Sequence, residues 1–151
     1  MKIIDSFRGQ YRFLSNFYGC AVEYEGMLYP TTEHAYQAAK STNPIQRAIF
    51  QTIPQERPNE AKQLGGIIER REDFDNVRKQ VMLDLQRLKY AQKDFKEKLL
   101  ATGDAILIEG NHWHDNFWGN CICRRCEDIE GQNNLGLAIM QVRDELRKAN
   151  E

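Results

Sequence analysis

The chain has few of the features that place a protein in a special class. No stretch approaches the roughly 18 consecutive apolar residues of a membrane-spanning helix, so no membrane partner is expected. Basic and acidic side chains nearly cancel, 21 against 22, for a formal net charge of −1. That balance excludes the broad positive field of a protein that coats nucleic acid and leaves only a local patch for such a substrate. Gly/Ser-rich linkers, low-complexity tracts and internal repeats are missing. The glycines at 65, 66, 103 and 110 match neither a phosphate loop nor a dinucleotide fingerprint, and there is no G-x-S-x-G or H-E-x-x-H string. The familiar nucleotide and hydrolase engines are therefore excluded. The first twenty residues, MKIIDSFRGQYRFLSNFYGC, lack a continuous apolar core behind a basic start, which predicts no secretory signal and a cytoplasmic protein. Cysteine is scarce, four in all, and Cys121, Cys123 and Cys126 are crowded together. That spacing excludes the spread framework of a small disulfide-rich domain and leaves reduced thiols or metal ligands.

What is present is an ordinary globular composition, 41% apolar and 28% charged over 151 residues, long enough for one domain spanning 1–151 with its own core. After an irregular aromatic start, Cys20 to Tyr24 alternates, Glu25-Gly26 supplies a turn and Met27 to Tyr29 returns, which predicts a short hairpin. Thr31 or Thr32 caps a helix reaching Ser41, and on it Glu33, Tyr36, Gln37 and Lys40 recur at three- and four-residue intervals and share a face. Short helices follow from Pro44 to before Pro54 and from Asn59 to Leu64, which Gly65-Gly66 ends. From Val77 onward Val81, Leu85, Leu88, Phe95 and Leu99 keep a helical period for about six turns, predicting one long core helix bent near Ala91. Gly103 ends it, Ala105 to Ile108 reads as a buried strand, and a last helix runs from about Asn134 to Lys148 with Leu135, Ile139, Val142 and Leu146 inward. The expectation is a mainly α (α+β) fold: a compact helical single domain with a short β-hairpin and one further short strand.

Three groups of residues can carry chemistry. The segment Glu109 to Gly119, EGNHWHDNFWG, gathers aromatics and polar tips of the kind that build ligand pockets. Asp115 and Trp118, three apart, either face one site or serve as a turn cap and core filling. Glu33 in the first turn of its helix is either a catalytic carboxylate or a complement to the helix dipole. His34 reads as a satisfied hydrogen-bonding residue. Lys40 is either a solvated charge or, within reach of a carboxylate among aromatics, a nucleophile. The string Cys121-x-Cys123-x-x-Cys126 is metal-like but lacks an obvious fourth ligand, for which His112, His114 and Cys20 are candidates. No metal is assigned on this basis. Arg124 and Arg125 beside it read as a solvated loop tip.

Five strings in order resemble the NADAR family. They are Phe13-Leu-Ser-Asn-Phe17, Glu33-His-Ala-Tyr-Gln-Ala-Ala-Lys40, Ala61-Lys-Gln-Leu-Gly65, Asp115-Asn-Phe-Trp-Gly119, and Asn133-Asn-Leu-Gly continuing through Ile139 to Arg143. They span almost the whole chain. The resemblance implies cleavage of an N-glycosidic bond to a phosphorylated or ADP-linked ribose, with ADP-ribosylated guanine in DNA or RNA or an early riboflavin-pathway intermediate as substrate. It implies Glu33 and Asp115 as the acidic pair, Lys40 as the amine of a possible imine with the opened ribose, and no cofactor or metal. It also implies Ser15, Asn16, Phe17, Tyr36, Phe74, Trp118, Gly119 and Asn133 as substrate-binding residues. Two positions depart from the family pattern: Phe74 stands where a Trp is common, and Gly66 where a basic residue often follows the Leu-Gly pair. A module that binds ADP-ribose without cleaving it and a zinc-stapled interaction domain are the competing function classes.

Overall fold

The computed structural model describes residues 2–150. In chain order the elements are β1 (Ile3–Ile4), a 3₁₀ turn (Gly9–Leu14), β2 (Val22–Tyr24), β3 (Met27–Tyr29), α1 (Thr32–Ala38), α2 (Pro44–Thr52), α3 (Pro58–Gly65) and α4 (Phe74–Tyr90). They continue with α5 (Lys93–Leu100), β4 (Ile106–Leu107), β5 (Gly110–Asn111), β6 (Asn120–Cys121), a second 3₁₀ turn (Arg124–Cys126) and α6 (Asn134–Ala149). The fold is mainly α with short strands, as the sequence predicts. Two compact units are distinguished: one runs from Asn16 to Gln92, the other joins the chain before Asn16 to the chain from Lys93 onward.

In the first unit, β2 and β3 pair antiparallel with Val22 opposite Tyr29 and Tyr24 opposite Met27. The two-residue loop between them has positive φ at Glu25 (48°) and Gly26 (82°), the left-handed pair that a tight hairpin turn needs and that glycine adopts without steric cost. Alternation buries Val22, Tyr24 and Tyr29. Thr31 caps α1, its side chain accepting the His34 N–H at 3.1 Å. All seven residues of α1 are buried, because α2, α3, α4 and both hairpin strands pack around it. A helix enclosed on every side places even its polar residues in the core, and that is what takes Glu33 out of water. Asn43 caps α2 by accepting from Ile45 N and Gln46 N, with Pro44 in the first turn. Proline also opens α3, where its missing N–H costs nothing.

Two expectations change here. Helix α1 ends at Ala38, so Lys40 lies beyond it in a tighter turn closed by Lys40 N–H to the Gln37 carbonyl and Ser41 N–H to that of Ala38. The long helix is also two helices, broken at Ala91–Gln92. Gln92 leaves the helical path and donates its amide to the Ala21 carbonyl at 3.0 Å, a contact a continuous helix would forgo. Leu88 is exposed, whereas Met82, Gln86, Lys89 and Tyr90 join Val81 and Leu85 inside.

In the second unit, β1 pairs parallel with β4, and β5 parallel with β6. These extra strands go beyond the single further strand expected, since a two-residue strand is too short to show a period of two. Helix α6 packs on β4 and α5, burying Leu135, Ile139 and Val142 as expected, while Leu146 is half-buried. The buried Arg143 guanidinium donates to Thr102 Oγ1 at 2.9 Å and the Ala105 carbonyl at 2.8 Å, fixing the helix to the approach to β4.

Candidate active site

The first unit assembles a buried carboxylate, an amine and aromatic rings around α1. Glu33 is 7% exposed. Its backbone N–H donates to the Asn16 carbonyl at 3.2 Å, and its Oε1 accepts from the Gln37 amide at 3.3 Å, one turn on. Gln37 is in turn held by α3, for Gly65 approaches so closely that a Cβ there would lie 1.8 Å from Gln37 Oε1. The glycine of the Leu-Gly string is thus explained by close packing.

Asn16 is a core connector. Its Oδ1 accepts from Thr32 Oγ1 at 3.0 Å and from the Gln86 amide at 2.8 Å, and its Nδ2 donates to Met82 Sδ at 3.4 Å. Neighbouring Phe17 is 41% exposed. Ser15, half-buried, closes the first 3₁₀ turn through its N–H to the Arg12 carbonyl.

Lys40 is half-buried, with Nζ 5.8 Å above the Tyr36 ring. Its pKa is lowered, first by desolvation; Glu33 opposes that shift, and the positive charges of Arg70 and Lys62 add to it. Phe74 is buried and packs on Tyr36 with centroids 5.5 Å apart and planes 58° apart. It backs Tyr36 and is not itself a surface for a ligand. The Arg70 guanidinium sits 5.6 Å over the same Phe74 ring. Sequence reasoning did not single out Lys62 and Arg70, the two cations whose charges reach Lys40; the visible signal is only that both flank Gly66, where the family pattern carries a basic residue. Beyond Lys40, Ser41, Asn43, Gln46, Arg70 and Arg71 line an open cleft of about 540 Å³.

His34, by contrast, is structural. It is fully buried, its Nε2 donating to the Ile53 carbonyl at 3.1 Å and its Nδ1 accepting from Thr31 Oγ1 at 2.6 Å. Burial lowers its pKa, which keeps the ring neutral.

In the second unit Asp115 caps a turn. Its Oδ1 accepts the Phe117 N–H at 3.1 Å and the Trp118 N–H at 2.8 Å. Asn111, buried, holds this loop by accepting from Trp113 N and Asp115 N and donating to the Asp115 carbonyl at 2.8 Å. Trp118 meets Phe117 edge to face at 4.8 Å. A Cβ at Gly119 would overlap the Glu109 backbone and carboxylate, so this glycine is required by packing. Asn133, with φ 54°, spends its side chain on the Glu109 N–H at 3.0 Å and the Leu107 carbonyl at 2.8 Å; it joins β4 to the start of α6. Of the implied residues, the structure groups Asn16, Phe17, Glu33, Tyr36, Lys40 and Phe74 in one unit, and Ser15, Asp115, Trp118, Gly119 and Asn133 in the other. Among the described residues no helix is long and apolar enough to cross a membrane.

A family model described as the NADAR domain matches residues 5–147. The chain is 36% identical over 141 residues to an N-glycosidase of Nostoc punctiforme, covering 91% of the chain and 86% of that protein. It is 30% identical over 139 residues to the N-glycosidase YbiA of Escherichia coli, covering 90% of the chain and 82% of that protein. It is also 35% identical over 139 residues to a riboflavin biosynthesis protein of Vibrio vulnificus, of whose length it spans 36%. The NMR structure of E. coli YbiA superposes with a TM-score of 0.81 at 27% identity, over 99% of the chain and 89% of that structure.

Proposed function

Since the chain belongs to the NADAR domain family, we propose that it hydrolyses the N-glycosidic bond between a base and a phosphorylated or ADP-linked ribose, releasing ADP-ribose from ADP-ribosylated guanine in nucleic acid. The observation that carries this reading is a buried carboxylate, Glu33, within electrostatic reach of a desolvated amine, Lys40, with Lys62 and Arg70 adding positive charge. Breaking the bond from ribose C1′ to a base nitrogen builds positive charge on the sugar. A carboxylate in a low-dielectric pocket stabilises that charge. Cationic side chains at the same place suit the phosphates of the ribose half.

In this mechanism the departing base nitrogen takes a proton as the C1′–N bond breaks, and the Lys40 amine, in its deprotonated form, forms a bond to C1′. Ring opening gives an imine, which water hydrolyses to the free sugar and the regenerated amine. Glu33 moves the protons. The reading of Lys40 as nucleophile is supported by the lowered pKa, because only an unprotonated amine attacks.

The name of the Vibrio relative favours a second reading, in which the leaving group belongs to a riboflavin-pathway N-riboside. Incubation with ADP-ribosylated guanine DNA or RNA, and separately with the riboflavin intermediates, followed by mass spectrometry, decides between them. Free ADP-ribose from the nucleic acid is expected. Release of ribose phosphate from the small intermediates alone would overturn the first reading in favour of the second, and binding of ADP-ribose without release from either would leave a binding module.

A further inference from the structure

The cysteine-rich string of the second unit acquires in the fold the fourth donor that its sequence lacks. His114 Nδ1 lies 3.3 Å from Cys123 Sγ, 3.4 Å from Cys126 Sγ and 3.8 Å from Cys121 Sγ, and the four donor atoms lie within 4.8 Å of one another. We propose that His114, Cys121, Cys123 and Cys126 form a closed tetrahedral zinc site.

Three observations carry this. The first is metric. With Zn–S of about 2.3 Å and Zn–N of about 2.0–2.1 Å, the edges of a tetrahedron are about 3.5 Å between N and S and about 3.8 Å between sulfurs. The measured N–S separations bracket that value. A single ring nitrogen hydrogen-bonded to one thiol would have no reason to stand at nearly equal distance from three.

The second is backbone geometry. His114 has φ 69°, a left-handed conformation that costs energy for a side-chain-bearing residue and needs a compensating interaction. The Cys123 N–H points to Cys121 Sγ at 3.5 Å, a donor placed to stabilise negative charge on that sulfur. The third is the surroundings. Between β5 and α6 regular structure is confined to β6 and one 3₁₀ turn, yet Cys121 and Cys126 are buried. A metal would supply the cross-links such a segment needs.

Four protein donors leave no open position for water or substrate, so the metal is structural and the proposed hydrolysis does not run through it. Loading is balanced by release of the thiol protons to solvent. Three thiolates, one neutral imidazole protonated at Nε2 and one Zn²⁺ give the site a net charge of −1. Because His114 immediately precedes Asp115, the site would anchor the Asp115 turn from its N-terminal side.

The test uses the intact chain, purified under reducing conditions without chelator. About one zinc per chain is expected. Cobalt replacement should give the intense visible bands of a tetrahedral site and thiolate-to-cobalt charge transfer in the near ultraviolet. Cys123→Ser, which alters the one of the three thiols that is not fully buried, should weaken zinc binding by more than about 100-fold against a chromophoric chelator. His114→Ala should shift the cobalt bands while retaining charge transfer. Stripping the metal should lower Tm, and added zinc should restore it. Should Cys123→Ser fail to fold, competition titration of the wild-type chain still decides. Absence of zinc from the purified protein, with three freely reactive thiols, no cobalt spectrum and a Tm indifferent to zinc and chelator, would overturn the proposal.

Discussion

Asp115 Oδ1 accepts the Trp118 N–H at 2.8 Å, so the carboxylate that the family pattern makes catalytic also builds its own turn. The two roles part under substitution. An Asn side-chain carbonyl at 115 can still accept from Phe117 N and Trp118 N; Ala cannot. Asp115→Asn should therefore keep Tm while cutting turnover on the order of 100-fold, as loss of a charge-stabilising group does. Asp115→Ala should lose about 1–2 kcal/mol of stability as well. Near-normal turnover in the Asn variant would make Asp115 a cap and nothing more.

Glu33 can be tested directly and through its support. Glu33→Gln should reduce turnover on the order of 100-fold or more at unchanged substrate binding. Gly65→Ala forces a methyl into the Gln37 amide, so the Gln37 hydrogen bond to Glu33 must shift or break. A fall in kcat larger than the change in KM, in protein that still melts cooperatively, identifies Gly65 and Gln37 as positioning residues. Equal loss of Tm and activity would make the contact merely structural.

For Lys40 the decisive measurement is chemical trapping. Borohydride added during turnover should leave a reduced sugar adduct on Lys40, seen by peptide mass spectrometry. Lys40→Arg should abolish both the adduct and most activity, because an always-charged guanidinium cannot attack. An active Arg variant, with no adduct on the wild-type protein, would point to direct attack by water.

Lys89 yields a prediction about pH. It is fully buried on α4 and its pKa is lowered to about 7 by desolvation, with Cys20 opposing the shift. The unfolded chain holds this proton up to an ordinary lysine pKa, so between about pH 7 and pH 9 the unfolded state binds more protons than the folded one. Stability should rise across that window, with a contribution of about 1.4 kcal/mol per pH unit from this group. Above it the raised pKa values of Cys20 and Tyr90 work in the opposite direction. Lys89→Met should be more stable than wild type at pH 8 and should flatten the rise. Chemical denaturation at three pH values measures both, and an unchanged slope in the variant would refute the assignment.

The pattern of residues was enough to locate the hairpin, α2, α3 and α6, because their turn, cap and proline signals are local. It also placed Glu33, Tyr36 and Gln37 together, since helical spacing over a few residues needs no tertiary information. Its failures have a common cause. The bend expected near Ala91 is a full break, because Gln92 makes a hydrogen bond to Ala21, 71 residues away in the chain, which no local period reveals. The burial of Lys89 and Gln86, polar residues on what reads as an amphipathic helix, is likewise set by what packs against α4.

His114 makes the same point most directly. In sequence the thiols have three competing fourth donors and no basis for choice. The parallel pairing of Asn111 with Cys121, made by strands two residues long, brings the two ends of this loop side by side, and the left-handed turn at His114 then swings its ring onto all three sulfurs. Residue types and their order supplied the side chains available, a carboxylate, an amine, aromatics and a clutch of thiols, and the family to which that order belongs. Which of them meet was set by packing, because contacts between residues far apart in the chain depend on how helices and strands come together, and local spacing carries no record of that.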